Sequence, residues 1–139
     1  MGTSSGSHMV KRDFDAAFIN SVINDPAVRG GAKVIEDVDL SEFIKDTNNI
    51  VLTYEYGGFV LIKRDDSYEL HTQALKKGRG KMLRDALKEM FTYMFARCDK
   101  ITSMTCLDNP ASTALAREFM TEVDKDNEYY YFVKEAPCQ

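Results

Sequence analysis

The stretch HTQALKKGRGKMLRDAL, beginning at His71, holds most of the reactive chemistry this sequence offers. Two glycines, Gly78 and Gly80, stand where a strand-like run gives way to a helical one. Lys76, Lys77, Arg79, Lys81 and Arg84 surround them. A helix leaves its first N–H groups unpaired and carries partial positive charge there, so phosphate oxygens bind readily at such a start. Glycines let the backbone come close to an anion, and the amides of Gly78 to Met82 are the ones expected to converge on it. Just upstream, strand alternation sets Glu69, His71 and Gln73 on one face and Tyr68, Leu70, Thr72 and Ala74 on the other. A carboxylate and an imidazole side by side are the groups that remove a proton from an attacking nucleophile.

The elements that hold these residues follow from periodicity and turn chemistry. FDAAFINSVIND reads as a first helix with Phe14, Ala17, Phe18 and Val22 at helical spacing and Asp13 as its cap. Pro26 and the pair Gly30-Gly31 end it. A short helix is expected at LSEFIKD. NNIVLTYEY and FVLIKR read as strands joined through Gly57-Gly58, Asp65–Ser67 as a turn, and YELHTQAL as a third strand. From Lys81 to Arg97 the residues Met82, Leu83, Ala86, Leu87, Met90, Phe91, Met94 and Phe95 form one apolar stripe, a core-facing helix. KITSMTCL is the next strand, NPASTALAREFM a helix capped by Asn109 with Pro110 in its first turn, and EYYYFVKE a last strand. The order is α-α-β-β-β-α-β-α-β, and the class α/β (α+β): a mixed, largely antiparallel sheet with helices on both faces.

Composition narrows the partners. The leading MGTSSGSHM, Met1 to Met9, reads as a vector remnant, which leaves His71 as the native histidine and residues 10–139 as one domain. A net charge of −4 argues against nucleic acid as the ligand of the basic loop. Cys98, Cys106 and Cys138 show neither disulfide nor zinc spacing, so no metal is expected and a reducing, cytoplasmic setting is. Cys106 itself reads as a buried apolar residue. No apolar run is long enough to span a membrane.

This order, with NDPAVR near the start, GGF at the hairpin and YELHTQ…GRG before the long helix, resembles the GNAT family of acetyl-CoA-dependent N-acetyltransferases. Small GNAT-like proteins of bacteriophages are the most similar, over roughly Phe14 to Phe132. The resemblance implies acetyl-CoA as acyl donor, with no metal, and a small amine or protein amine as acceptor. It also implies a cytoplasmic setting in a phage-infected bacterium, with a homodimer or a phage or host protein as compatible partners. The family's pyrophosphate loop, Q/R-x-x-G-x-G/A, fits in two registers. In the first, Gly78 and Gly80 are its last glycines and Leu75 holds the Gln/Arg position. In the second, Gly80 is the key glycine, Lys77 the basic residue, and Met82 replaces the small one. Leu83 and Leu87 keep the family's core-facing phase and favour the first. By the same resemblance, cofactor contacts fall to Ala74, Leu75, Lys76, Lys77, Gly78, Arg79, Gly80, Lys81, Met82 and Asn109. A backbone N–H at Ala74 or Leu75 polarises the carbonyl, and Glu69, then His71, is the base. The family's tyrosine, seven residues after the Asn, is here Ala116, with Tyr93 or Tyr129–Tyr131 as the tyrosines that could replace it. The family's GF after this helix is missing too, since the run reads REFMTEVD. An alternative function, a catalytically lapsed binding or assembly factor, stays open on those departures.

Overall fold

A computed structural model describes residues 8–29 and 37–137. The glycine pair Gly30-Gly31 and Cys138 lie outside the described residues. Seven strands form one sheet: β1 (Lys11–Arg12), β2 (Ile50–Tyr54), β3 (Gly57–Lys63), β4 (Tyr68–Ala74), β5 (Lys100–Cys106), β6 (Thr121–Lys125) and β7 (Tyr129–Glu135). Their order across the sheet is β1-β2-β3-β4-β5-β7-β6. Among the described residues only the β4–β5 pair is parallel, joined by the crossover helix α3 (Lys81–Phe95). Helices α1 (Ala16–Ile23) and α2 (Pro26–Arg29) precede the sheet's centre in sequence, and α4 (Pro110–Phe119) lies between β5 and β6. The mixed, mostly antiparallel architecture expected from the sequence is the one observed.

Each face of the sheet has its own core. Against α1, residues Ala16, Ile19, Ile44, Val51 and Val60 close together. On the opposite face Leu52, Phe59, Leu61, Leu70 and Ile101 meet Leu83, Ala86, Leu87, Met90 and Met94 of α3. The expected α3 stripe is therefore the buried one, since an apolar arc at helical spacing gains most by facing the sheet.

Local details depart from the sequence reading. Asp15, not Asp13, caps α1 by accepting from Ala17 N, while Asp13 accepts from Asp15 N in a preceding turn. That shifts the inward face to Ala16, Ile19 and Val22, and leaves Phe14 exposed beneath the Arg12 guanidinium. Pro26 does end α1, yet also opens α2, because a proline's missing N–H costs nothing in a first turn. LSEFIKD forms only a 3-10 turn, Phe43–Lys45. The hairpin turn is Glu55-Tyr56, and Gly57-Gly58 belong to β3. Strands β1 and β6 were not anticipated: one is two residues long, and the other is an exposed edge whose TEVDK carries no alternating apolar set. Of the segment set aside as vector-derived, Met9 packs against the larger core and donates its N–H to Glu89.

Gly58 is needed for close approach. A Cβ there would stand 2.8 Å from both Ile19 Cδ1 and the Leu52 carbonyl oxygen. The side chain can yield but the backbone cannot. Gly58→Ala should therefore lower stability by about 1–3 kcal/mol, as overpacking does. A urea midpoint equal to that of the parent would refute this reading of the α1–sheet contact.

Candidate active site

Strands β4 and β5 begin together and then part. Their parallel register comprises Tyr68↔Ile101 and Glu69↔Thr102, although both strands continue, to Ala74 and Cys106. At the point of parting, Ser103 Oγ donates to the Leu70 carbonyl at 3.1 Å. On β4's other side, Leu75 N–H donates to Tyr56 O at 2.8 Å. Peptide groups alternate sides along a strand. Leu70 and Leu75 thus fix the parity: the N–H groups of Thr72 and Ala74 face the gap, where the ladder to β5 has ended. Of the two amides the sequence offered for polarising a carbonyl, Leu75 is engaged and Ala74 is directed into the gap. The carbonyl of Ala74 already accepts from Arg79 Nε at 3.2 Å.

The gap leads up to the glycine loop. Lys76–Gly78 form a 3-10 turn in which Gly78 N–H donates to Leu75 O and Arg79 N–H to Lys76 O. The amides of Gly78 and Arg79 are therefore spent inside the loop, which corrects the expectation that they join an anion cradle. Gly78 is packed: a Cβ would meet Tyr56 Cβ at 2.6 Å, and the Tyr54 hydroxyl donates to Gly78 O at 2.7 Å. Gly80 is the opposite case. It caps α3 with φ 73° and ψ −134°, and a Cβ would meet nothing within 4 Å. The first helical bond is Arg84 N–H to Gly80 O. Gly80, Lys81, Met82 and Leu83 accordingly keep amides without a backbone partner among the described residues, at the positive end of a 15-residue helix. The open amides run from Gly80 to Leu83, starting two residues and ending one residue later than the expected Gly78 to Met82, while Leu83 and Leu87 are buried in the phase that the first register requires.

The five cations around the loop do different things. Arg84 makes two bonds to Glu118 on α4, at 2.6 and 2.8 Å, and Lys81 pairs with Asp85 at 2.7 Å. Their partners hold the Glu118 and Asp85 carboxyls below the usual carboxylate range, through hydrogen bonds first. Arg79 Nη2 donates to Ala27 O of α2 at 2.9 Å while its Nε holds Ala74 O. It ties α2 to the end of β4. Lys76 and Lys77 are exposed and have no partner among the described residues.

On the sheet face shared with α1, Glu69 and His71 are joined. Glu69 Oε2 lies 2.5 Å from His71 Nε2, and Glu69 Oε1 accepts from Arg64 Nε at 3.1 Å and Nη2 at 2.8 Å. Burial alone would raise the Glu69 carboxyl, but hydrogen bonds and charge from His71 and Arg64 outweigh it and hold the group low. Sequence reading named Glu69 and His71 but not Arg64, which reaches them across the Asp65–Ser67 turn. The third member of that face, Gln73, pairs in register with Gly58.

Asn109 is the cap expected of it: its Oδ1 accepts from Ser112 N, and its Nδ2 has no partner among the described residues. The substitute tyrosines fare unevenly. Tyr93 lies on α3 about 18 Å along the axis from Lys81, stacked under Arg97, so it is remote from the loop. Tyr131 donates to Asp126 Oδ2 at 2.5 Å, and that bond, foremost, pushes its hydroxyl up to about 12. Tyr130 lies under Arg117 and Lys125. Tyr129, opposite Cys106 at the upper end of β5, keeps a hydroxyl without a partner among the described residues. Cys106 is exposed, not buried, because it is the last residue of β5 beside the gap. Among the described residues no group of three or more His, Cys, Asp or Glu could hold a metal, and no helix is long and apolar enough to cross a membrane.

No protein-family model matches the sequence, and no curated protein is detectably similar to it. Solved structures are. A ribosomal-protein-alanine N-acetyltransferase from Brucella melitensis superposes with TM-score 0.73 at 18% identity, over 93% of this chain and 100% of that one. A GNAT-family acetyltransferase from Bacillus anthracis gives 0.67 at 16%, over 91% and 93%. YncA, a putative acetyltransferase from Salmonella typhimurium solved with acetyl-CoA, gives 0.68 at 16%, over 94% of each chain. The fold is that of the GNAT acetyltransferases.

Tyr54 is the strut beneath this loop, 3% exposed and committed to Gly78 O. Burial, more than offsetting the attraction of Arg79, pushes its hydroxyl up to about 12. A raised folded value means the protonated form is favoured on folding. The stabilisation is therefore complete below the ordinary tyrosine pKa of about 10 and is lost as pH climbs through about 12. Tyr54→Phe should lose about 1 kcal/mol at neutral pH and show a shallower decline of stability above pH ~10. A variant whose alkaline decline is as steep as the parent's would show that the proton on Tyr54 is not what that limb reports.

Proposed function

We propose that this chain is an N-acetyltransferase that takes its acyl group from acetyl-CoA and transfers it to a primary amine by direct attack. The observation that carries the reading is the gap between β4 and β5 opening onto the Gly80 start of α3. Such a gap offers N–H groups to a thioester arm, and such a helix start offers amides to a pyrophosphate. Gly80, Lys81, Met82 and Leu83 would hold the diphosphate, with Lys76 and Lys77 adding long-range attraction. The Ala74 N–H would face the thioester carbonyl, Asn109 Nδ2 the pantetheine arm, and the Glu69–His71 pair would take the amine's proton. Tyr129, rather than the residue at Ala116, is the tyrosine best situated to return one to sulfur. The structurally similar YncA of Salmonella typhimurium, which holds acetyl-CoA as its cofactor, supports the donor. The resemblance to phage-encoded proteins supports a cytoplasmic setting in an infected bacterium. Ala116 favours a second reading, a GNAT-fold binding protein without turnover.

Gly80→Asp places a carboxylate in the proposed cradle and should abolish acetyl-CoA binding in isothermal titration. Gly80→Ala carries the same backbone strain without charge and should retain binding at reduced affinity. Equal affinity in the Asp and Ala variants, both folded by thermal melt, would remove the anion site. Lys76→Ala/Lys77→Ala should weaken affinity and flatten its salt dependence. Acetyl-CoA consumption over a panel of amines and N-terminal peptides then separates the two readings: binding without turnover leaves the binding protein.

A further inference from the structure

The Glu69–His71 pair is not two interchangeable bases. Resting on the acetyltransferase reading, we infer that His71 receives the acceptor's proton on Nδ1, and that Glu69 is a positioning residue that fixes the ring through Nε2–H.

Donor and acceptor counting carries the assignment. Glu69 presents one oxygen to each partner: Oε1 to the Arg64 guanidinium, Oε2 to the imidazole. With two donors against it the carboxyl is held low, and an ionised carboxylate accepts only. The hydrogen in the Glu69–His71 bond must therefore sit on Nε2. A neutral imidazole has one N–H, so the lone pair is on Nδ1, which has no partner among the described residues. The ring is also the more accessible member, its side chain 37% exposed against 16% for Glu69. The Arg64 backbone is anchored in turn, since its N–H donates to Ser67 O at 2.9 Å and closes the β3–β4 turn. A carboxylate tied to a guanidinium is a poor proton acceptor, whereas an imidazole has the affinity that general-base work near neutral pH requires.

The step balances without further reagents. The amine lone pair forms a C–N bond to the acetyl carbon, and the amine proton passes to Nδ1. The resulting imidazolium carries hydrogens on both nitrogens, its charge facing the Glu69 carboxylate, which stays ionised throughout. The C–S bond breaks, and the leaving thiolate takes a proton from Tyr129 or water.

Two measurements test this. His8 and His71 are the only histidines, so His8→Ala leaves a single imidazole for nitrogen-15 NMR. At mildly alkaline pH the ring should show a protonated Nε2 and a bare Nδ1, and Glu69→Ala should move it to a mixture of tautomers. A ring protonated on Nδ1, or a tautomer indifferent to Glu69→Ala, overturns the assignment whatever the activity. In turnover, His71→Ala should lose roughly a hundredfold in kcat with acetyl-CoA affinity retained, and added imidazole should restore part of it. Glu69→Ala should lose less, and imidazole should not restore it. Imidazole rescue of Glu69→Ala in place of His71→Ala would also overturn the roles. Absence of turnover with every amine, alongside an intact Nε2–H ring, sinks the acetyltransferase reading and the proton step together but leaves the positioning bond standing.

Discussion

A parallel pair of strands normally keeps its ladder to the end, because each unpaired N–H or C=O left away from water costs free energy. Here β4 and β5 stop pairing after Glu69↔Thr102, and five further residues of β4 run on to Ala74. The rest of the molecule makes that separation tolerable. β4 remains fully paired to β3 on its other side, from Tyr68↔Lys63 to Ala74↔Gly57. β5 remains fully paired to β7. Each strand of the opening is thus held from outside, and α3 spans the gap's underside with Leu83, Ala86, Leu87 and Met90. The sheet stays one body while its centre presents the Thr72 and Ala74 N–H groups, which have no ladder partner among the described residues.

The loop above the opening is held by the same kind of anchoring. Three carbonyls accept from groups that pull the chain into one conformation: Tyr56 O from Leu75, Gly78 O from Tyr54, and Ala74 O from Arg79. Gly78 is locked against the β2–β3 hairpin, and Gly80, which has no Cβ, takes the positive φ that starts α3 without steric cost. Preorganised donors of this sort lose little freedom when an anion arrives.

The sequence showed the elements better than their joints. The α3 stripe was legible because one helical face is apolar throughout, and the polar row Glu69, His71, Gln73 because strand alternation leaves no other assignment. Asn109 could be read as a cap from its place before Pro110. The separation of β4 from β5 was not legible: pairing between two strands leaves no mark in either one's pattern. Nor was Arg64, which meets Glu69 only because the Asp65–Ser67 turn folds it back. β6 escaped for a plainer reason, since an exposed edge strand is polar on both faces and TEVDK reads as loop. Tyr54 sat inside an apolar run, and nothing local said that its hydroxyl would find a carbonyl 24 residues away.

Charge near the loop illustrates how structure edits composition. Five cations in nine residues suggest a broad positive field, but Glu118 and Asp85 neutralise two and the carbonyls of Ala74 and Ala27 occupy a third. Lys76, Lys77 and the first amides of α3 are the donors near the loop that no carboxylate or carbonyl among the described residues occupies. Amide dipoles act only within the first turn, whereas free ammonium groups act over roughly a Debye length of 8–10 Å. The division is therefore one of range: under the proposed function the lysines would gather an anion, and the helix start would define where it rests. Arg79 donates to the carbonyls of both Ala74 and Ala27, so α2 is fastened to the loop that follows β4.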